Sequence, residues 1–332
     1  MASTLLAAAA LTATAAAAPA FACACGTLAP PPGLAAAVTD ESAIITHRDG
    51  VETIVLSLDV ESGTATSGLI VPTPTAATVS AADPAIFDSI ESQTVPSERV
   101  VDDWWGNKVN PGAGDSAPTV VSRLDVGGLE ATTLAATDTG GLTGWLSQNG
   151  FEVPADAAGQ LQQYIDQRWQ FVALKLSATS ALNGTLAPIQ ISFPSDSIVY
   201  PLSMARAAAT EQSLRLSVFA DNRVDLVRNG SADQPLDAAV RTVWAGPVTE
   251  PALTPLGAYL TVIDLRIDSP QTQISSDIGV VQAPNNDVVD PAAIVIRPIE
   301  LLGFPLGTLL AVWGGLGLLG LLAVTIARSR LR

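Results

Sequence analysis

Residues 43–62 read AIITHRDGVETIVLSLDVES, and their pattern decides the fold class. Apolar and polar residues alternate on both sides of Asp49-Gly50, the dipeptide most typical of a tight hairpin turn, so residues 43–48 and 51–60 are expected to pair as antiparallel strands. Residues 68–72 continue the alternation after another turn, which makes the start of the domain an antiparallel meander.

The same two-residue period returns in WQFVALKLSA, IQISF, IVYPL, LRLSVFA and LTVIDLRI further along. Helices interrupt it. DPAIFDSIESQTV reads as a short helix opened by Asp83 with Pro84 at its first position. Residues 139–148 place Leu142, Trp145 and Leu146 on one face and stop at Asn149-Gly150, and a second helix opens at Pro154 and runs to about residue 168 with Leu161 and Ile165 inward. The fold class is therefore α+β: a mainly antiparallel sheet ectodomain with a mid-chain helical pair, followed by one C-terminal transmembrane helix.

That last helix is read from residues 301–327, LLGFPLGTLLAVWGGLGLLGLLAVTIA, which contain no charge. At about 1.5 Å per residue the run exceeds a hydrocarbon core of about 30 Å. Arg328, Arg330 and Arg332 follow at once, and positive residues favour the cytoplasmic side, so the tail 328–332 is expected inside and the body outside. Gly303 and Gly307 form a Gly-x-x-x-Gly pair suited to seating a partner helix, although glycine is also simply common in membrane helices. At the other end, MASTLLAAAALTATAAAAPAFA (1–22) has the apolar stretch and small-residue exit of a signal peptide, and departs from that pattern in lacking an early Lys or Arg. The domain proper is then 23–297, the protein a single-pass cell-membrane protein with its N-terminal domain extracytoplasmic, and membrane lipid its partner through 301–327.

Charge and composition exclude several activities. All 32 acidic residues precede residue 301 while three of the 16 basic ones follow it, leaving the body at −19, a sign that repels phosphate backbones and argues against nucleic-acid binding. One histidine, His47, cannot assemble a common zinc site with two cysteines, and its place beside the Asp49-Gly50 turn favours an exposed turn residue over a catalytic base. Phosphate-cradling, dinucleotide-binding and Gly-x-Ser-x-Gly motifs do not occur.

Asp138-Thr139-Gly140 has the form of an aspartic-protease tripeptide, but that chemistry needs two carboxylates sharing one proton, and the motif occurs once. Asp88, Asp115 and Asp196 are each followed by Ser without the glycine that permits the tight catalytic turn. Asp138 therefore reads as a helix N-cap, and no catalytic residue, cofactor or metal centre is assigned.

Four features keep a functional reading. Asp102, Asp103, Trp104 and Trp105 open the long irregular segment 102–118, where exposed aromatic anchors would suit recognition of an envelope or membrane-protein partner and tryptophans folded back on the domain are the alternative. FPSDSIVYP offers Asp196 and Tyr200 to a carboxylate-using hydrolase. Asp102-Asp103 and NNDVVD (285–290) carry oxygens for calcium without the spacing of a known calcium loop. Cys23-Ala24-Cys25 fits a short strained disulfide, free or copper-ligating thiols, or a lipid-modified Cys23.

VTDESAIITHRDGVETIVLSLDVES, GLIVPTPTAATVS, IFDSIES, LAATDTGGLTGWLSQNGF, YIDQRWQFVALKL, PIQISFPSDSIVYPLSMAR and VFADNRV, in that order, resemble the bacterial family known as domain of unknown function 2330. The resemblance spans about 23–288 and is most specific over 134–224. It implies an Ala-Cys-Gly-like mature start and a C-terminal membrane anchor, and it brings no activity with it. The functional expectation is a membrane-anchored binding or interaction module at the cell envelope, with the hydrolase and the thiol or copper site as alternatives.

Overall fold

The computed structural model describes residues 23–105, 123–124, 130–134, 139–153, 155–229, 231, 233–301 and 303–330. The expected signal peptide, Asp138, Pro154 and the 106–118 part of the Trp-bearing segment lie outside them.

The hairpin forms where the alternation places it. Strands Ala36–Arg48 and Val51–Ser62 pair antiparallel from Ala36↔Ser62 to Arg48↔Val51. The turn puts Asp49 at φ 51° and Gly50 at φ 73°, both left-handed, as a type I′ hairpin requires. These two strands form the centre of a nine-stranded sheet. On one side follow Gln212–Ala220, Tyr259–Ile267 and Ala239–Pro247; on the other, Asn183–Leu186 and Ile189–Pro194 share the free edge of Val51–Ser62. Most neighbours are antiparallel, but Gln212–Ala220 runs parallel to Ala36–Arg48, a pairing that local alternation cannot reveal.

A second sheet of four antiparallel strands, in the order Thr27–Ala29, Thr66–Thr73, Gln170–Ser177, Glu130–Leu134, faces the first. The largest apolar cluster lies between the sheets, joining Ile45, Ile54, Leu56 and Leu216 to Leu69, Val71, Val172 and Leu174. Both faces of each sheet are covered. Ile44 and Val55 point the other way, toward Ile86, Phe87 and Ile90 of the helix Ala85–Gln93. Ile70 and Phe171 point toward the mid-chain helical pair, packing with Leu142, Leu146, Leu161 and Tyr164. Residues 43–45 and 54–56 are buried without a break for this reason: a strand covered on both faces has no solvent side.

The helical pair spans Thr139–Gln148 and Ala155–Asp166, and both helices end in the same way. After the first, Gly150 at φ 81° lets its N–H reach Ser147 O (3.1 Å) and the Phe151 N–H reach Leu146 O (2.9 Å), a Schellman stop. After the second, Arg168 takes the left-handed position at φ 63°, with Arg168 N–H on Ile165 O (2.8 Å) and Trp169 N–H on Tyr164 O (2.9 Å). The turns send Phe151 and Trp169 back onto the core that the helices cover.

A three-stranded sheet, Val199–Tyr200, Ile278–Gln282 and Val224–Arg228, closes one end. A parallel pair, Glu98–Asp103 with Ala293–Pro298, leads into a small hairpin, Glu300–Leu301 with Phe304–Pro305, and then into the helix Leu306–Arg330. The apolar run therefore begins as a turn, and the helix starts at Leu306, directly after Pro305, rather than at residue 301. Its stretch Leu306–Ile326 has a mean hydropathy of 2.2, and beyond a first turn in which Gly307 is buried against the domain nearly all of its described residues are exposed.

Candidate functional site

Glu41 stands on the strand Ala36–Arg48, just past an irregularity in the pairing between Val38 and Asp40. From there on it shares the inward face with Ala43 and Ile45, so its carboxylate enters the core between the sheets. The segment Cys23–Gly26 meets it there. Cys23 N–H donates to Gly26 O (3.0 Å), a tight turn, and an added Cβ on Gly26 would fall 2.4 Å from the carbonyl oxygen of Ile70. Only glycine lets this segment lie so close to the strand Thr66–Thr73.

The result is a buried polar cluster. Cys23, Cys25 and Glu41 are each at most 1% exposed, and the two Sγ atoms and a carboxylate oxygen all lie within 4.8 Å of one another. Ala24 N–H donates to Glu41 Oε2 (2.7 Å), and the Tyr200 hydroxyl donates to Glu41 Oε1. Burial pushes the Glu41 carboxyl up against these hydrogen bonds, and burial together with Cys23 and Glu41 raises the Cys25 thiol. Both cysteines are free thiols. Tyr164 stands near enough for Cys25 to raise its phenol too, after burial and Asp277, and its hydroxyl donates to Asp277 Oδ1 (2.6 Å). Asp277 also accepts Ser203 N–H (2.8 Å), so it links the second helix, the 3-10 segment Leu202–Ala207 and the three-stranded end sheet.

A second acid is buried near the hairpin turn. Glu52 shares its strand face with Ile54, Leu56 and Leu58, accepts Val199 N–H at Oε2 (3.0 Å) and has no hydrogen-bond partner at Oε1 among the described residues. Burial raises its carboxyl to about 8. His47, its cross-strand partner, is half-buried rather than exposed and donates from Nε2 to Ser195 O (2.8 Å).

The other notable place is the corner where the domain meets the apolar helix. Trp104 and Trp105 are 47% and 59% exposed, yet they abut the helix start: Gly307 N–H donates to Trp104 O (2.6 Å), and an added Cβ on Gly307 would stand 2.9 Å from the Trp105 ring. Gly307 thus accommodates the domain's own tryptophans. Asp102 pairs with Arg297 (2.9 Å) and Asp103 accepts Trp105 N–H (3.0 Å), so both carboxylates brace this corner. Leu301, Phe304, Val100 and Val101 add exposed apolar surface nearby.

The residues singled out in the sequence are thus separated. Asp196 sits on an exposed loop, while Tyr200, four positions on, is fully buried and committed to Glu41; the two share no site, which removes the geometric basis for a hydrolase built on them. Residues 285–290 form a loop bonded to the rest of the domain, in which Asn286 accepts Arg223 N–H (3.0 Å), Tyr259 donates to Asn286 O (3.1 Å) and Asp290 accepts Ser97 N–H (3.2 Å), so several of their oxygens already have structural partners. Glu41, Glu52, Tyr164 and Asp277 were not singled out. For the two glutamates a signal existed: each occupies the apolar parity of an alternating strand.

No curated protein is similar to the chain at a significant level. Among solved structures, the crystal structure of baculovirus P35 aligns over 76% of this chain and 98% of that chain, with 5% identity and a TM-score of 0.35, a level that establishes neither a shared fold nor a shared activity. The family described as "Uncharacterized protein conserved in bacteria (DUF2330)" matches residues 19–281, most of the chain, with its buried Cys-x-Cys segment and both sheets inside the match, and the protein belongs to that family.

Proposed function

We propose that the protein is a binding module of the bacterial cell envelope, exported by the signal peptide 1–22 and held outside the membrane by one helix, with Arg328, Arg330 and Arg332 on the cytoplasmic side. The observation that carries this reading is the seating of Trp104 and Trp105 against Gly307 at the first turn of an apolar helix that is otherwise almost wholly exposed. Tryptophan concentrates at membrane–water interfaces because its ring is apolar and its N–H polar. Two exposed tryptophans at the start of a span of about 30 Å therefore rest at the headgroup level of the outer leaflet, with Phe304 beside them. The domain is held close to the bilayer, its far surface turned toward envelope partners.

Reconstitution into vesicles containing brominated lipid tests this. In a Trp313→Phe background, which removes the tryptophan within the span, the brominated lipid is expected to quench fluorescence, and Trp104→Phe with Trp105→Phe is expected to abolish most of that quenching. Protease treatment of intact cells is expected to remove the domain and spare a tag placed after Arg332. Quenching that persists without Trp104 and Trp105, or a tag digested from outside, defeats the membrane seat. The binding half is tested by cross-linking from the domain surface in cells, where recovery of no specific envelope component counts against it.

A further inference from the structure

Two thiols and a carboxyl facing one another inside a core call for an explanation beyond packing. A buried cysteine alone behaves as a small hydrophobe. Here Glu41 is brought to the pair at the cost of desolvating an acid, and two outer groups hold it: Ala24 N–H on one oxygen and the Tyr200 hydroxyl on the other. Donors that fix a ligand's orientation from behind are characteristic of metal sites. The three donor atoms, mutually within 4.8 Å, are spaced for one ion at their centre.

The donor set narrows the ion. Thiolates select soft cations, Cu(I) and Zn(II) among those of biological abundance. Closed zinc sites are four-coordinate and tetrahedral. Among the described residues no fourth His, Cys, Asp or Glu joins Cys23, Cys25 and Glu41, and the burial of all three leaves no solvent side from which water could complete a tetrahedron. A monovalent closed-shell ion has no such requirement, and exclusion of water protects it from oxidation.

We propose that Cys23, Cys25 and Glu41 form a binding site for Cu(I), with the two sulfurs as its principal ligands and Glu41 as the third, weaker one. Binding breaks two S–H bonds, forms two Cu–S bonds and releases two protons, with no change in oxidation state; copper enters as Cu(I). The ion gains access when the strand Thr27–Ala29, three residues at the edge of its sheet, lifts from Thr66–Thr73. Loading is thereby coupled to docking of the 23–29 segment, so the metal stabilises the fold. The site shares no residue with the membrane corner, and its test is independent of the membrane seat.

The reduced full-length chain in detergent, kept free of oxygen, is titrated with Cu(I) from a competing chelator and, separately, with Zn(II). One equivalent of Cu(I) is expected to bind, with two sulfur neighbours in copper-edge X-ray absorption and a rise in the unfolding temperature. Cys23→Ser and Cys25→Ser are each expected to weaken binding by more than about 100-fold, and Glu41→Gln to weaken it measurably but less, as the loss of a weaker, harder ligand. The absorption spectrum of the unmutated protein decides the matter even where a serine variant fails to fold. No binding against the chelator, copper without sulfur neighbours, or tighter retention of Zn(II) than of Cu(I) overturns the proposal.

Discussion

The hydroxyl of Tyr164, on the second mid-chain helix, donates to Asp277 Oδ1 at 2.6 Å across 113 residues of sequence. This one hydrogen bond ties the helical pair to the loop that precedes the end sheet. Tyr164→Phe leaves Asp277 with Ser203, through its N–H and its side chain, and is expected to cost about 1–3 kcal/mol, the penalty for a buried polar group that loses a partner. Chemical denaturation checks this, and an unchanged midpoint would show that Asp277 finds another donor.

Glu52 makes stability depend on pH. Its folded carboxyl titrates at about 8 against an ordinary 4.5, so between those values the folded chain holds a proton that the unfolded chain has released. Its contribution is full below about pH 4.5 and is lost as pH rises toward about 8. Glu41 and Asp277, also raised by burial, act with the same sign. Glu52→Gln keeps an acceptor for Val199 N–H and cannot ionise. Its unfolding free energy is expected to match the unmutated protein near pH 5 and exceed it by a few kcal/mol near pH 8, because each tenfold difference in proton affinity between the folded and unfolded chain is worth about 1.4 kcal/mol. Parallel curves across that window would refute the assignment.

Arg168 occupies a left-handed position that glycine fills after the preceding helix. Arg168→Gly removes the Cβ clash while retaining the Schellman bonds, so it is expected to stabilise the domain by about 0.5–1 kcal/mol despite glycine's greater freedom when unfolded. Thermal unfolding monitored by circular dichroism gives the sign.

Gly26→Ala places a methyl group 2.4 Å from Ile70 O, backbone that cannot move without disturbing two sheet partners. The 23–29 segment is expected to detach. Alkylation of Cys23 and Cys25 by a thiol reagent, slow in the unmutated protein, should then accelerate by at least about tenfold, since a loss of only about 1.4 kcal/mol of local stability already yields that factor. An unchanged alkylation rate would show that the segment stays docked.

Glycine at 307 is under a similar constraint from Trp104 and Trp105. Gly307→Leu is expected to push both tryptophans away from the helix start and shift their emission, with little change in the stability of the sheets. Fluorescence in the Trp313→Phe background reads this, and an unaltered spectrum would show that the helix can move instead.

Much of this architecture was legible because it is local. Asp49-Gly50 dictates a left-handed turn through its own backbone preferences, and the alternation on either side dictates which side chains face inward. Leu142, Leu146 and the Asn149-Gly150 stop define the first mid-chain helix within one stretch of chain, and the uncharged run before Arg328 defines a helix long and apolar enough to cross a bilayer. Expectations that depended on where distant segments meet were less secure. Asp196 and Tyr200 are neighbours in sequence, but a strand boundary between them sends one to solvent and the other into the core.

By itself, then, the sequence determined the α+β class, the hairpin, the helical pair and the apolar C-terminal helix, because turns, periodicity and hydrophobic length act over a few residues at a time. Only the tertiary structure decided that Gln212–Ala220 lies parallel to Ala36–Arg48, that Glu41 meets Cys23 and Cys25, that Tyr164 reaches Asp277, and that Trp104 and Trp105 abut Gly307. Each of these depends on burial between elements far apart in the chain, where the desolvation of an acid or the room for a tryptophan is set by the packing of the whole.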